Sequence, residues 1–361
     1  MSFIAPIVVK STAAAPTINL DPQKIDFGRT FCPLWLNAVY ENGAWQGRVI
    51  DQVEPIALHP AALVLHYGQS IFEGMKAYKW QDGSVHLFRP IENARRLNAS
   101  ATRMAMPTFD ESAFVEGVKT LVGQQTTWIP EAPGSLYLRP SMIATEPCIG
   151  VRSAEQFLFF VLAMPSGAYF PQTSGQSGAG AVRVLISSSV GRAARGGTGN
   201  VKATANYAVT LKVIAEGKAK GCSQVLFLDA AGQGRIEEMG GMNVFFVSGR
   251  KLMTPRLNDT ILPGITRDSI IKLAPSLGLE VQESDLSLAT ILDQIKKGVV
   301  TEAFACGTAA VVVGIKNFLC ETGEEITLAA APGSVTNTIY DELTGIQRGI
   351  RPDPFGWMVK V

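Results

Sequence analysis

Residues 165–180 are the stretch of this chain least able to build a helix or a strand, and they constrain everything else. They read Pro-Ser-Gly-Ala-Tyr-Phe-Pro-Gln-Thr-Ser-Gly-Gln-Ser-Gly-Ala-Gly. Glycine and serine leave the backbone free, and two prolines withhold hydrogen-bond donors. The stretch therefore reads as a linker dividing the 361 residues into a segment 1–164 and a segment 181–361. Each is long enough for its own core. The pair Tyr169-Phe170 predicts that the linker packs against something rather than waving freely.

Both segments mix strand and helix periods. Met75–Trp80 and Ser84–Phe88 flank Gln81-Asp82-Gly83 and predict a hairpin. Helical spacing follows at Ile91, Ala94, Leu97 and Ala101, then at Phe114, Val118, Leu121 and Val122. Leu136–Arg139 and Phe157–Met164 read as strands. In the second segment, strands are expected at Val182–Ile186, Gln224–Leu228, Val244–Val247, Leu252–Thr254 and Glu302–Cys306. Helices are expected over Asn206–Lys220, Thr266–Leu277 with Thr266 as cap, and Leu288–Lys297. Several hairpins break the alternation, so an α+β or barrel-like arrangement fits better than a purely parallel doubly wound sheet. Ser11–Pro16 is a small-residue tract, and residues 1–20 read as a loose arm.

Composition excludes several classes. Apolar residues make up 47% and charged residues 17%, which is the balance of a buried globular chain. Net charge is +1, with no basic run suited to nucleic acid or a membrane surface. The longest apolar run in the core, Phe157–Met164, has eight residues, far short of the roughly 20 of a membrane span. No basic region precedes the first apolar stretch, so no signal peptide is expected. The five cysteines are odd in number and form no CxxC, which points to free thiols in the cytoplasm. The three histidines show no metal-ligand spacing, so no metal is expected.

The residues that carry chemistry centre on Lys202, in Gly196-Gly197-Thr198-Gly199-Asn200-Val201-Lys202-Ala203-Thr204-Ala205-Asn206-Tyr207. An amine held out of water gives up its proton and can form an imine with an aldehyde, as a lysine does with pyridoxal phosphate. The loop is no phosphate-binding P-loop, and Lys202 stands where a dinucleotide fingerprint needs its third glycine. That cofactor also needs a carboxylate for its ring nitrogen and an anion site for its phosphate. The acidic pair Glu237-Glu238 stands before Met239-Gly240-Gly241-Met242-Asn243. Neighbouring strand residues face opposite ways, and Glu238 is the one expected to point inward. Leu262-Pro263-Gly264-Ile265-Thr266-Arg267 and Cys306-Gly307-Thr308-Ala309-Ala310 offer turns with backbone donors, and Arg96 offers a cation.

In this order the segments resemble the branched-chain amino acid aminotransferases, pyridoxal-phosphate enzymes of fold type IV. The resemblance runs through His66-Tyr67-Gly68, Phe72-Glu73-Gly74-Met75-Lys76-Ala77, Leu87-Phe88-Arg89-Pro90, Leu136-Tyr137-Leu138-Arg139-Pro140 and Pro165–Pro171. It continues through the Lys202 loop, Glu238–Asn243, Leu262–Arg267 and Gly307-Thr308-Ala309, covering residue 25 or so to the end. It implies a two-domain α+β fold: a smaller N-terminal α/β domain and a larger barrel-like C-terminal domain, joined by an interdomain loop that covers a site between them.

The resemblance also implies roles. Lys202 bonds the cofactor aldehyde and shuttles the substrate proton. Tyr207 binds the phenolic oxygen and Glu238 the pyridine nitrogen. Arg96, Ile265, Thr266 and Thr308 hold the phosphate, and the Thr308-Ala309 turn receives the substrate α-carboxylate. Phe72 and Tyr137 wall the side-chain pocket, joined by Tyr67, Ile149 and Val151 of a second subunit. Arg139 accepts the distal carboxylate of glutamate. The implied enzyme is a homodimeric, cytoplasmic transaminase acting on L-leucine, L-isoleucine or L-valine and 2-oxoglutarate by a ping-pong mechanism. A D-amino acid transaminase or an aminodeoxychorismate lyase on the same scaffold is the nearer alternative. A non-catalytic phosphate-binding α/β protein is the distant one. The chain departs from the pattern at Ala310 and Val313, where some members carry a CxxC, and at Ala203-Thr204-Ala205, where many carry glycines before Asn-Tyr.

Overall fold

The computed structural model describes residues 6–16, 19–167 and 178–361. It resolves into two compact units. The first comprises Met1–Tyr169, Lys202–Thr204 and Ile346–Val361, and the second Phe170–Val201 and Ala205–Gly345. The division differs from the expected one at two places: the C-terminal tail and a three-residue piece around Lys202 belong to the first unit.

The first unit is built on a nine-stranded sheet. Its strands run in the order Ile7–Val9, Ala44–Gln52, Leu34–Glu41, Phe157–Ser166, Ser135–Ala144, Met75–Lys79, Val85–Phe88 and Met358–Lys360, with Ser70–Phe72 also on Ser135–Ala144. All pairs are antiparallel except Ile7–Val9 with Ala44–Gln52. Alternation sets the buried face: Leu34, Leu36 and Ala38 point into the core. The helices Pro90–Arg103 and Glu111–Gly123 bury Ala94, Leu97, Phe114, Val118 and Leu121 in the same cluster. Asp110 caps the second helix by accepting from the Ala113 N–H at 2.8 Å.

Of the arm expected to be loose, the described stretch 7–14 is tied down. Its β-branched run Ile7-Val8-Val9 adds an edge strand in register with Arg48, Val49 and Ile50. Farther on, Trp128 donates through its indole N–H to the Ala14 carbonyl at 2.8 Å. The expected hairpin is present, with Gly83 turning it at φ 81°.

The second unit carries a ten-stranded mixed sheet. The order is Glu280–Ser284, Lys251–Pro255, Asn243–Ser248, Glu302–Gly307, Val311–Leu319, Ala181–Ser187, Gln224–Leu228, Arg235–Met239 and Leu286–Ser287, with Glu325–Thr327 also on Val311–Leu319. The two edge strands, Glu280–Ser284 and Leu286–Ser287, are separated in the chain only by Asp285. A trans peptide spans about 3.8 Å between Cα atoms, so the sheet curls until its edges meet, which gives the barrel-like form.

Two helix expectations change. The helix expected over Asn206–Lys220 is two pieces, Ala205–Ala208 and Leu211–Ala219. The Thr210 hydroxyl and N–H both donate to the Tyr207 carbonyl, at 2.8 and 3.2 Å, and close the first piece. Thr266 lies inside the helix Ile265–Leu273 rather than at its cap, which is Gly264. Residues 168–177, including the Tyr169-Phe170 pair and most of the linker, lie outside the described residues.

Candidate active site

In the first unit, Lys202–Thr204 lies along the strand Ser70–Phe72. The Phe72 N–H donates to the Lys202 carbonyl at 3.1 Å, the Thr204 N–H to the Ser70 carbonyl at 3.1 Å, and Ala203 bridges Ile71. The Lys202 N–H donates to Ser100 Oγ at 2.9 Å, and Ser100 in turn donates to the Arg96 carbonyl one helical turn earlier. The lysine backbone is therefore fixed from two sides. Its side chain is half-buried, with Nζ 4.8 Å from the centre of the Phe72 ring. Arg139 lies over the same ring at 4.6 Å and donates through Nη2 to the Tyr137 hydroxyl at 3.1 Å. Gly74 leaves room for that hydroxyl: a Cβ there would stand 2.2 Å from Tyr137 Oη.

Arg96 is held by Glu73. Its Nε and Nη2 donate to the two carboxylate oxygens at 2.7 and 2.8 Å, and Asn93 adds a third donor at 2.7 Å. The Glu73 side chain is fully buried and that of Arg96 nearly so. Burial acts to raise the Glu73 pKa, but Arg96, with Lys202 and Asn93 adding to it, outweighs burial and holds the carboxyl below its usual value. This first group thus brings together Lys202, Phe72, Tyr137, Arg139 and Arg96. Tyr67, Ile149 and Val151 form a separate, exposed group, joined by a hydrogen bond from the Tyr67 hydroxyl to the Ile149 carbonyl.

In the second unit, Glu238 is buried on the strand Arg235–Met239. Its carboxylate is ion-paired with Arg192 at 2.5 Å and accepts from the Leu262 N–H at 3.0 Å and Asn243 Nδ2 at 3.2 Å. The adjacent Glu237 is buried as well, contrary to the expectation of one inward and one solvated carboxylate. It accepts from the Thr260 hydroxyl, while its other oxygen has no hydrogen-bond partner among the described residues. Burial pushes the Glu237 pKa up, with Thr260 and Arg192 only partly offsetting it.

The turn after Glu238 gathers the remaining candidates. A Cβ on Gly241 would stand 3.7 Å from the Tyr207 ring, and one on Gly307 would stand 3.4 Å from the Gly241 carbonyl. Thr308 and Ala309 follow Gly307 in the turn between Glu302–Gly307 and Val311–Leu319, whose ends pair in register. Asn243 pairs with Cys306 across the sheet. The helix Ile265–Leu273 starts beside Asn243, with Gly264 at its cap. The N–H groups of such a turn present a positive dipole end to an anion. This second group brings together Tyr207, Glu238, Ile265, Thr266, Thr308 and Ala309.

Three residues assigned no role from the sequence organise these groups. Glu73 fixes Arg96. Arg192 pairs with Glu238 and also donates to the carbonyls of Gly199 and Thr260. Asn243 joins Glu238 to the Leu262 carbonyl at 3.1 Å. The available signal was a lone charge among apolar and small residues, as in Ile71-Phe72-Glu73-Gly74 and Gly191-Arg192-Ala193-Ala194.

Comparison with known proteins gives a consistent result. The family Amino-transferase class IV matches residues 70–318. A branched-chain-amino-acid aminotransferase of Mycolicibacterium smegmatis is 44% identical over 323 residues, covering 88% of this chain and 86% of that protein. Among solved structures, the Escherichia coli branched-chain amino acid aminotransferase superposes with a TM-score of 0.73 at 28% identity, covering 90% of this chain and 98% of that one. The T.th. branched-chain amino acid aminotransferase, solved with pyridoxamine 5'-phosphate, gives 0.71 at 27% identity, covering 89% and 97%.

Proposed function

Because the chain belongs to the branched-chain-amino-acid aminotransferases of class IV, we propose that it exchanges the amino group of L-leucine, L-isoleucine or L-valine with 2-oxoglutarate, using pyridoxal phosphate. The donor set fits that cofactor. It includes a lysine amine with a fixed backbone and an arginine in the first unit, and a buried carboxylate and a helix start in the second. The residues that would hold it are Lys202, Arg96, Tyr207, Glu238, Ile265, Thr266 and Thr308. When bound, pyridoxal phosphate supplies an electron sink for the pair left at the substrate Cα.

The chain's own residues do the rest. Lys202 Nζ takes the Cα proton and delivers it again when the amino group moves. Its N–H and carbonyl are both engaged, so little backbone freedom is left to lose on reaching that geometry. Glu238, ion-paired with Arg192, is the carboxylate that would bind the ring nitrogen and favour its protonated form. The N–H groups of the Thr308-Ala309 turn receive the α-carboxylate.

Both substrates share one pocket in a ping-pong cycle. Phe72 and Tyr137 give the aliphatic chains an apolar wall, and Arg139 at its edge pairs with the distal carboxylate of 2-oxoglutarate. Tyr67, Ile149 and Val151 complete the pocket of a neighbouring subunit in a homodimer.

The observation that carries this reading is the convergence of Lys202, Phe72, Tyr137 and Arg139 on one ring and one hydroxyl. The test is the visible spectrum of the cofactor-loaded protein beside Lys202→Ala. The expected result is a yellow protein whose band shifts with L-leucine, and a variant without that shift. A yellow protein that ignores L-leucine but answers D-alanine would move the reading to a D-amino acid transaminase. A protein that pyridoxal phosphate cannot colour would end it.

A further inference from the structure

We propose that Glu73 is the positioning residue of Arg96, and that through Arg96 it sets how tightly the chain grips the phosphate of its cofactor. The inference rests on the reading above, in which Arg96 binds that phosphate. Glu73 takes the Nε–Nη2 edge of the guanidinium with both of its oxygens. A guanidinium clamped on one edge keeps its plane and its direction, so its remaining donors face one way. Asn93, on the same helix, donates both to Glu73 and to the Gly74 carbonyl, at 2.7 and 3.1 Å. Glu73 is itself anchored by its N–H, which donates to the Pro140 carbonyl at 2.7 Å.

The clamp sits on the element that fixes the lysine. Asn93, Arg96 and Ser100 are spaced three and four apart on the helix Pro90–Arg103 and so share one face. Ser100 holds the Lys202 N–H, and Glu73 adjoins Phe72, whose N–H holds the Lys202 carbonyl. One carboxylate thus keeps the arginine in register with the lysine. Without Glu73, Arg96 would be a nearly buried cation with its counter-charge gone, and it would turn toward water, away from the lysine. The proposal predicts a loss of phosphate grip although a negative charge has been removed. A simple charge count predicts the opposite sign.

The experiment titrates cofactor-free protein with pyridoxal phosphate and with pyridoxal, which lacks the phosphate. The ratio of the two Kd values isolates the phosphate grip from ring and aldehyde binding. Glu73→Gln should narrow that ratio by roughly tenfold or more, and Glu73→Asp, which keeps the charge one methylene short, by less. If Glu73→Gln does not fold, Glu73→Asp carries the measurement. In an Arg96→Met background, Glu73→Gln should change the ratio no further. That double variant removes both charges together and is the pair best placed to stay folded.

A merely structural role would weaken both ligands alike and leave the ratio in place. An unchanged or widened ratio in either folded variant, or the same narrowing without Arg96, would overturn the inference while leaving the cofactor reading intact. A wild type that binds both ligands equally would instead remove the phosphate role of Arg96, and this inference with it.

Discussion

Arg192 and Glu238 have side chains only 4% exposed, and each is the other's charged partner. Removing one member of such a pair leaves an uncompensated buried charge, which costs about 3–5 kcal/mol. Arg192→Met should therefore lower the urea midpoint sharply, and Arg192→Met with Glu238→Gln should recover much of the loss. Equal loss in the single and double variants would show that Arg192 acts only through the Gly199 and Thr260 carbonyls. Glu237 makes a second prediction, on pH. Its pKa is raised above the usual 4.5, so in the folded protein it keeps a proton that the unfolded chain releases. Stability from this group is then present below pH 4.5 and lost as pH rises through the raised value. Glu237→Gln should remove that loss, so its melting temperature should exceed the wild type's increasingly as pH rises above 4.5. Parallel melting curves from acid to neutral pH would contradict it. At this scale the sequence told which residue types were present but not their partners. The strand rule that adjacent residues face opposite ways favoured Glu238 over Glu237, yet both are buried. Glu237 is accommodated because Thr260, from a different loop, reaches it.

Among the elements, the helix Ile265–Leu273 depends on its entry. A Cβ on Gly264 would stand 2.0 Å from Asn243 Oδ1, so only glycine lets the helix start beside the asparagine that holds Glu238. Gly264→Ala must push Asn243 aside, taking a donor from Glu238 and displacing the first turn of the helix together. The expected outcome is weaker retention of pyridoxal phosphate, read by dialysis and re-titration. The control is a far smaller effect from alanine at Gly47, where a Cβ meets nothing within 4 Å. Equal retention in the two variants would mean the helix start takes no part. Elements with strong local signals were legible: the Gly83 hairpin and the buried strand from Phe157. What failed was set by tertiary partners. Thr266 looks like a cap but lies inside its helix, because Asn243 makes the preceding glycine the entry. The small-residue arm is tied down by Ile50 and Trp128, which stand far from it in the chain.

At the scale of the whole molecule, the way the chain returns to its first sheet is not legible locally. The strand Met358–Lys360 pairs with Val85–Phe88, and a pairing so distant in sequence has no local signature. The family resemblance supplied the ordered motifs and named Tyr67, Ile149 and Val151 as the surface offered to a second copy. Val151 is 86% exposed, Ile149 65%, Leu65 59% and Tyr67 44%. A substitution at so exposed a valine in a protein that works alone would change stability within about ±0.5 kcal/mol and leave turnover alone. If these residues instead wall the pocket of a neighbouring subunit, Val151→Asp places an unpaired charge in an apolar contact and damages a site on another chain. We therefore expect Val151→Asp to keep the wild-type melting profile of the isolated chain, to shift sedimentation from dimer toward monomer, and to raise KM for L-leucine. Mixing the variant with a Lys202→Ala chain separates local from shared damage. In a shared site, a mixed dimer pairs the intact Lys202 of one chain with the intact Val151 of the other, so activity should reappear. If no activity returns on mixing, each chain must supply its whole pocket, and the exposed group on the first unit would need another explanation.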